Sequence, residues 1–324
     1  MKTINLSKIY LKEKIAQMVM VNGSKYNHDF VTLCVGGIYL GKLNSKEEYK
    51  KLIKYYKDNS KIKPLFSVDM EGSYNPFEKF FNCKTFGEVI NEKDAYELGL
   101  SQGRIVKELG FDINFSPVVE VKNRVWPGRS FKGDFIEVKE KIISYIKGLK
   151  ECGTIATAKH YPGGSMVKDP HKLMYKTKIF NEDLELFDIA MKSGVNAIMI
   201  GHPIVFGAID SKGKQSTISP EIILPLRKKF NGLIITDDIH MMGLRSYLLN
   251  FNKVYIDLVK AGNDILLEAT PRFTKYEGIK KRIENLERAI KKGIVSEERI
   301  NESVKKILEI KGYKIVYWIQ IYLN

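Results

Sequence analysis

With 324 residues, 44% of them hydrophobic and 28% charged, the chain has the composition of a folded globular protein, which excludes a disordered polypeptide. Its formal charge of +15, from 53 Lys and Arg against 38 Asp and Glu, is spread over lysine-rich helix-like stretches, so it describes a solvated surface and not a nucleic-acid footprint. Three cysteines, Cys34, Cys83 and Cys152, have no CxxC spacing and imply neither a disulfide framework nor a zinc knuckle.

Met1 to Lys14 has no apolar core of a secretory leader, and no apolar run reaches the ~20 residues that span a bilayer, so a cytoplasmic protein without a membrane partner is expected. Short apolar runs then recur along the chain. They predict strands at Gln17 to Val21, Gly37 to Leu40, Pro64 to Val68, Asp112 to Phe115, Thr154 to Ala158, Ala197 to Ile200, Leu233 to Thr236 and Asp264 to Leu267. Several are apolar throughout, as strands covered on both faces are.

Between them the apolar period is near 3.6. Ala95, Leu98, Gln102, Ile105, Val106 and Leu109 predict a helix closed by Gly110, and Phe135, Val138, Ile142, Ile146 and Leu149 predict another closed by Gly153. Leu184, Phe187 and Met191 precede Gly194; Ile279, Ile283, Leu286 and Ile290 follow; Ile300, Val304, Ile307 and Leu308 come after Ser296. Alternating strands and helices imply a parallel sheet with right-handed crossovers. Eight such units fit an α/β fold consisting of a single (β/α)8 TIM-type barrel, with a doubly wound open sheet as the alternative. No glycine-rich fingerprint follows the first strand, which argues against a nucleotide site. The barrel is expected over 1–312, and the apolar stretch 313–324 is an unassigned tail.

Titratable residues cluster just past the predicted strand ends. These are Asp69 and Glu71; Glu120 with Arg129; Lys159, His160, Asp169 and His171; His202; and Asp237, Asp238 and His240. In a (β/α)8 barrel all of these positions share one face, where barrel enzymes carry their chemistry. An aspartate ionised beside Arg129 and Lys159 suits a nucleophile, and a loop histidine oriented by an aspartate suits a general acid/base near neutral pH. The bland readings are that Asp169 caps a turn, that Asp238 is an N-cap for the next helix, that His240 caps or packs, and that Glu71 and Glu120 orient Lys159 or Arg129.

The stretch Lys159-His160-Tyr161-Pro162-Gly163-Gly164-Ser165-Met166-Val167-Lys168-Asp169-Pro170-His171 resembles the signature of family 3 glycoside hydrolases, specifically the β-N-acetylglucosaminidase branch. FSVDMEG from Phe66, GFDINFSPVVEV from Gly110, GRSF from Gly128, IMIGHPIV from Ile198, IITDDIHMMGL from Ile234 and AGNDILL from Ala261 match in order. The resemblance implies that Asp237 is the nucleophile and that His171 is the acid/base with Asp169 as its dyad partner. It implies that Asp69 binds sugar hydroxyls and that Arg129, Lys159 and His160 line the same subsite, to which His202 is also assigned. It further implies retaining hydrolysis of terminal β-linked N-acetylglucosamine, with peptidoglycan (muropeptide) fragments as the source. The expected partner is this small carbohydrate alone. No cofactor, metal or nucleic acid is expected, and the chain is expected to be a monomer.

The chain departs from the family pattern at three places. Gly72-Ser73-Tyr74-Asn75 stands where Gly-Gly-Arg-Val is usual, Gly163-Gly164-Ser165 makes the signature one residue short, and Glu120 replaces an aspartate. These departures leave specificity open, and with it three alternatives: a sugar-binding protein with a decayed site, a metal-dependent barrel hydrolase, and a phosphorylase. The metal reading lacks its usual HExxH or early paired-histidine spacing.

Overall fold

The computed structural model describes residues 2–121, 125, 126, 128–164, 169, 172–247 and 250–316. The strands, in chain order, are β1 (Lys2–Asn5), β2 (Val19–Asn22), β3 (Gly37–Tyr39), β4 (Leu65–Val68), β5 (Ile113–Asn114), β6 (Ile155–Tyr161), β7 (Lys176–Ile179), β8 (Ala197–Ile200), β9 (Ile204–Gly207), β10 (Leu233–Thr236), β11 (Leu266–Glu268) and β12 (Tyr313–Val316). The helices are α1 (Leu11–Gln17), α2 (His28–Thr32), α3 (Lys46–Asn59), α4 (Glu92–Leu109), α5 (Phe135–Glu151), α6 (Asn181–Lys192), α7 (Pro220–Lys229), α8 (Val254–Ala261), α9 (Tyr276–Lys291) and α10 (Glu297–Ile310).

Eight strands pair in parallel in the order β10-β8-β6-β5-β4-β3-β2-β11, and a parallel bridge between Ile235 and Ile265 joins β10 to β11 and closes the ring. The chain is therefore an α/β barrel. Every predicted strand lies in this ring. The first is displaced: Gln17 ends α1 instead of starting a strand, because Lys12 to Gln17 are good helix formers and the Gln17 amide donates to the Cys34 carbonyl at 2.6 Å.

The helices end as their sequences dictate. The Asn91 side chain accepts from the Asp94 N–H to start α4, and Gly110, at φ 96, closes it in a left-handed conformation that costs a glycine little. Ser296 caps α10 in the same way through the Arg299 N–H. Helices α4 and α5 pack closely because Gly99 and Gly148 face each other's backbones; a Cβ on Gly99 would stand 2.2 Å from the Tyr145 carbonyl oxygen. Two small parallel ribbons lie outside the ring, β7 with β9 and β1 with β12. The second joins the first described residues to Tyr313–Val316, the start of the stretch left unassigned from sequence; residues 317–324 lie outside the described residues. Cys34, Cys83 and Cys152 are free thiols.

Candidate active site

The C-terminal ends of the barrel strands open into a cavity of about 540 Å³, lined by Asp69, Glu71, Arg129, Lys159, His160 and Asp237 among others. Asp69 and Glu71 follow β4, whose last residue pairs with Asn114 of β5. The Asn114 side-chain oxygen in turn accepts the Met70 N–H at 2.9 Å, so the turn bearing both carboxylates is fixed from the neighbouring strand. Lys159 and His160 are consecutive in β6 and would point to opposite faces of a regular strand. The register with β8 shifts between Lys159 and Tyr161, and both side chains reach the cavity. Irregularities of this kind commonly re-aim side chains beside active sites.

Lys159 is 1% exposed and its ammonium lies 2.5 Å from Asp69 Oδ1 while also pairing with Glu71 Oε2. Arg129 approaches Glu71 through Nε at 2.9 Å from Oε1 and donates from its Nη2 to Oε2 at 3.0 Å. The orienting role expected of Glu71 is what this geometry provides. Burial alone would raise the Glu71 carboxyl, but Arg129 and Lys159 hold it well below the ordinary range. Asp69 moves the other way: burial and the neighbouring Glu71 charge raise it, against the pull of Lys159.

Asp237 follows β10, with its N–H bonded to the Ile200 carbonyl at 2.9 Å and its Oδ1 accepting the Asp238 N–H at 2.8 Å. Its Oδ2 lies 3.6 Å from His160 Nε2. Burial pushes the His160 imidazole down to about 3, against the attraction of Asp237, so the ring is neutral at working pH. An aspartate carboxylate facing a neutral imidazole, in a cavity that also holds two buried cations, can attack an electrophilic carbon and stabilise positive charge developing on it.

A scan against protein families matches residues 10–310 to "Glycosyl hydrolase family 3 N terminal domain". The chain belongs to glycosyl hydrolase family 3. A curated β-hexosaminidase of Glaesserella parasuis serovar 5 (strain SH0165) is 28% identical over 244 residues, covering 71% of this chain and 72% of the relative. The structure of a family 3 β-N-acetylglucosaminidase from Paenibacillus sp. str. FPU-7 superposes with a TM-score of 0.84 at 27% identity, over 94% of this chain and 62% of that one. The chain thus spans less than two thirds of that protein. LpqI of M tuberculosis, at 20% identity, TM-score 0.83 and coverage of 96% and 97%, shares the fold.

Among the residues expected to form this family 3 site, Asp69, Arg129, Lys159, His160 and Asp237 surround one cavity. His202 lies behind Asp237, lining a narrow recess with Glu120 and Tyr175. One of its ring nitrogens, Nε2, donates to the Asp238 carbonyl at 2.9 Å, and Nδ1 sits 2.8 Å from the Thr217 hydroxyl. Asp169 is not among the residues lining the large cavity; its carbonyl accepts the Lys172 and Leu173 N–H groups, and Lys172 Nζ stands 3.8 Å from its carboxylate. His171 lies outside the described residues.

Sequence reasoning missed the aromatic part of the wall. Tyr39, Tyr74, Phe115 and Trp126 line the cavity; Tyr39 stacks on Phe115 at 6.2 Å, and Trp126 lies under the Arg129 guanidinium at 4.7 Å. Tyr39 ends β3, so the strand-end rule that selected Asp69 applies to it equally. Among the described residues no three His, Cys, Asp or Glu side chains converge as a metal-binding group. No helix among them is long and apolar enough to cross a membrane.

Proposed function

We propose that this chain is a retaining β-N-acetylglucosaminidase that removes terminal β-linked N-acetylglucosamine. The observation that carries the reading is the Asp237 carboxylate standing at a barrel-strand end, 3.6 Å from a neutral His160, in a cavity that also holds Arg129, Lys159 and Asp69. Asp237 attacks the anomeric carbon, and the leaving oxygen takes a proton from His171, with Asp169 as its dyad partner. Water then hydrolyses the glycosyl-enzyme, with the same histidine as base. Asp69, Arg129 and Lys159 hold sugar hydroxyls, and His160 contributes a single neutral donor or acceptor.

The substrate sugar is supported by the β-hexosaminidase relative and by the resemblance of Lys159 to His171, and peptidoglycan fragments by that resemblance alone. The barrel domain over 1–312, a monomer, and the cytoplasm complete the reading. The test is release of aryl alcohol from an aryl N-acetyl-β-glucosaminide. Turnover should survive EDTA and vanish in Asp237→Ala. Sugar binding without turnover would favour a decayed site, and sugar 1-phosphate formed on adding phosphate would replace hydrolysis by phosphorolysis.

A further inference from the structure

The turn that carries Asp237 is tied to the end of β11 at four successive places. The Ile239 N–H donates to the Leu267 carbonyl at 3.0 Å, and the Ala269 N–H donates to Asp238 Oδ1 at 3.1 Å. The Thr270 hydroxyl donates to Asp238 Oδ2, and His240 Nε2 lies 3.1 Å from Glu268 Oε2. The last tie differs in kind from the others. Glu268 is 0% exposed, and its carboxylate accepts from Arg282 Nε at 2.9 Å, from Arg282 Nη2 at 2.6 Å, and from the Tyr255 hydroxyl at 2.5 Å, besides His240. The His240 ring is clamped between Phe251, at 4.8 Å and 22°, and Phe273, at 5.4 Å and 30°.

A wholly buried carboxylate–guanidinium pair is a weak source of stability, because apolar side chains of the same volume often serve as well. What such a cluster does provide is direction: both carboxylate oxygens are engaged, so the His240 ring has one place to sit. The His240 N–H in turn donates to Asp238 Oδ1 at 3.3 Å, and the Asp238 N–H to Asp237 Oδ1. His240 and Glu268 do not line the cavity, whereas Met241, Leu267 and Ala269, which flank them, do.

We propose that Glu268 and His240 are a positioning pair that aims Asp237, with Arg282 and Tyr255 holding the Glu268 carboxylate so that it fixes the His240 ring and, through it, the turn from Asp237 to His240. This rests on Asp237 being the nucleophile, as proposed above. A displacement of about 1 Å in a reacting group can cost on the order of 100-fold in rate, so a device that fixes the turn has a measurable consequence.

The test uses the full chain. Turnover by the unaltered protein and its loss in Asp237→Ala are measured first, and they judge the activity reading alone. His240→Phe keeps a flat ring between Phe251 and Phe273 and deletes the donor to Glu268, while His240→Gln restores an N–H at similar reach. For His240→Phe, kcat on the aryl glycoside should fall roughly 10- to 100-fold with KM within about twofold, and His240→Gln should recover most of the loss. Unchanged kcat in His240→Phe, a rise in KM alone, or no recovery in His240→Gln overturns the proposal. A second readout needs no turnover. A cationic iminosugar, whose ammonium pairs with Asp237, should bind His240→Phe at least about tenfold more weakly, with N-acetylglucosamine binding unchanged. Equal weakening of both ligands, or of neither, overturns it.

Discussion

Asp237 Oδ2 and His160 Nε2 stand 3.6 Å apart at the barrel mouth, one at the end of β10 and the other on β6, with β8 between them in the ring. Burial keeps the imidazole neutral, so the contact joins a carboxylate to a polar ring and is not an ion pair. Arg129 Nη2, 3.5 Å from the same ring nitrogen, adds a cation that further disfavours protonation.

That arrangement gives His160 a pH-dependent effect on stability. Its folded pKa, about 3, lies below the ordinary value of 6.5, so the unfolded chain binds the proton more readily. The stability associated with a neutral His160 is therefore complete above 6.5 and is lost as pH falls toward about 3. Relative to His160→Gln, the unaltered protein should lose about 2 kcal/mol between pH 7 and pH 5. Urea unfolding of both proteins at the two pH values measures the difference. Asp69, whose folded pKa is raised, has the opposite slope and is common to both proteins, so it cancels. Equal pH dependence in the two proteins would contradict the burial argument.

Lys159 is the cation between two carboxylates. In Lys159→Met, Asp69 and Glu71 lose the ammonium they share, and Arg129 remains for Glu71. Stability near pH 7 should fall by about 3–5 kcal/mol, the range for breaking a buried pair. The deficit should shrink as pH falls toward about 6, the value Asp69 reaches even with Lys159 beside it, because without the ammonium its carboxyl takes up a proton at higher pH still. A deficit independent of pH would place the loss in packing instead.

Tyr145 tests whether the polar interior of the barrel wall is structural. Its hydroxyl donates to Gln102 Oε1 at 2.5 Å and lies 2.6 Å from Ser116 Oγ, joining α4 and α5 to the residues after β5. Tyr145→Phe should cost about 1–3 kcal/mol in thermal or urea unfolding, the range for stranding buried polar partners, with kcat within about twofold.

The ring of strands was legible because each is a short apolar run followed by a helical period, and the barrel then placed Asp69, Lys159, His160 and Asp237 together without further information. What could not be read was the side-chain wiring. Nothing in the spacing of His240, Glu268, Tyr255 and Arg282 shows that they meet, since the contact forms only when β11 closes against β10. The displaced start of β2 has a local cause: Gln17 and Met18, expected to begin the strand, are buried at the end and C-cap of α1, and a short apolar run does not distinguish a buried helix end from a strand. The ribbons β7–β9 and β1–β12 were not predicted because one strand of each is polar, with lysines alternating through β7 and polar residues flanking Ile4 in β1, while the apolar runs of β9 and β12 do not by themselves name a partner.

Gly72 joins the Glu71 carboxylate to the Arg129 loop and offers the sharpest test of how that loop is seated. Its φ is +33, and a Cβ would stand 2.2 Å from the Arg129 carbonyl oxygen and 2.3 Å from its Cα. Neither is a flexible side-chain tip, so in Gly72→Ala the loop carrying Arg129 must move. Gly213 is the control: its φ is +77, yet nothing lies within 4 Å of its Cβ position, so Gly213→Ala carries backbone strain alone, about 1 kcal/mol. Gly72→Ala should cost a further ~1–3 kcal/mol through overpacking and should raise KM for the aryl glycoside as Arg129 leaves the sugar subsite. Gly213→Ala should leave KM unchanged. If the two variants behave alike in both unfolding and kinetics, the contact between Gly72 and the Arg129 backbone is not what sets the loop.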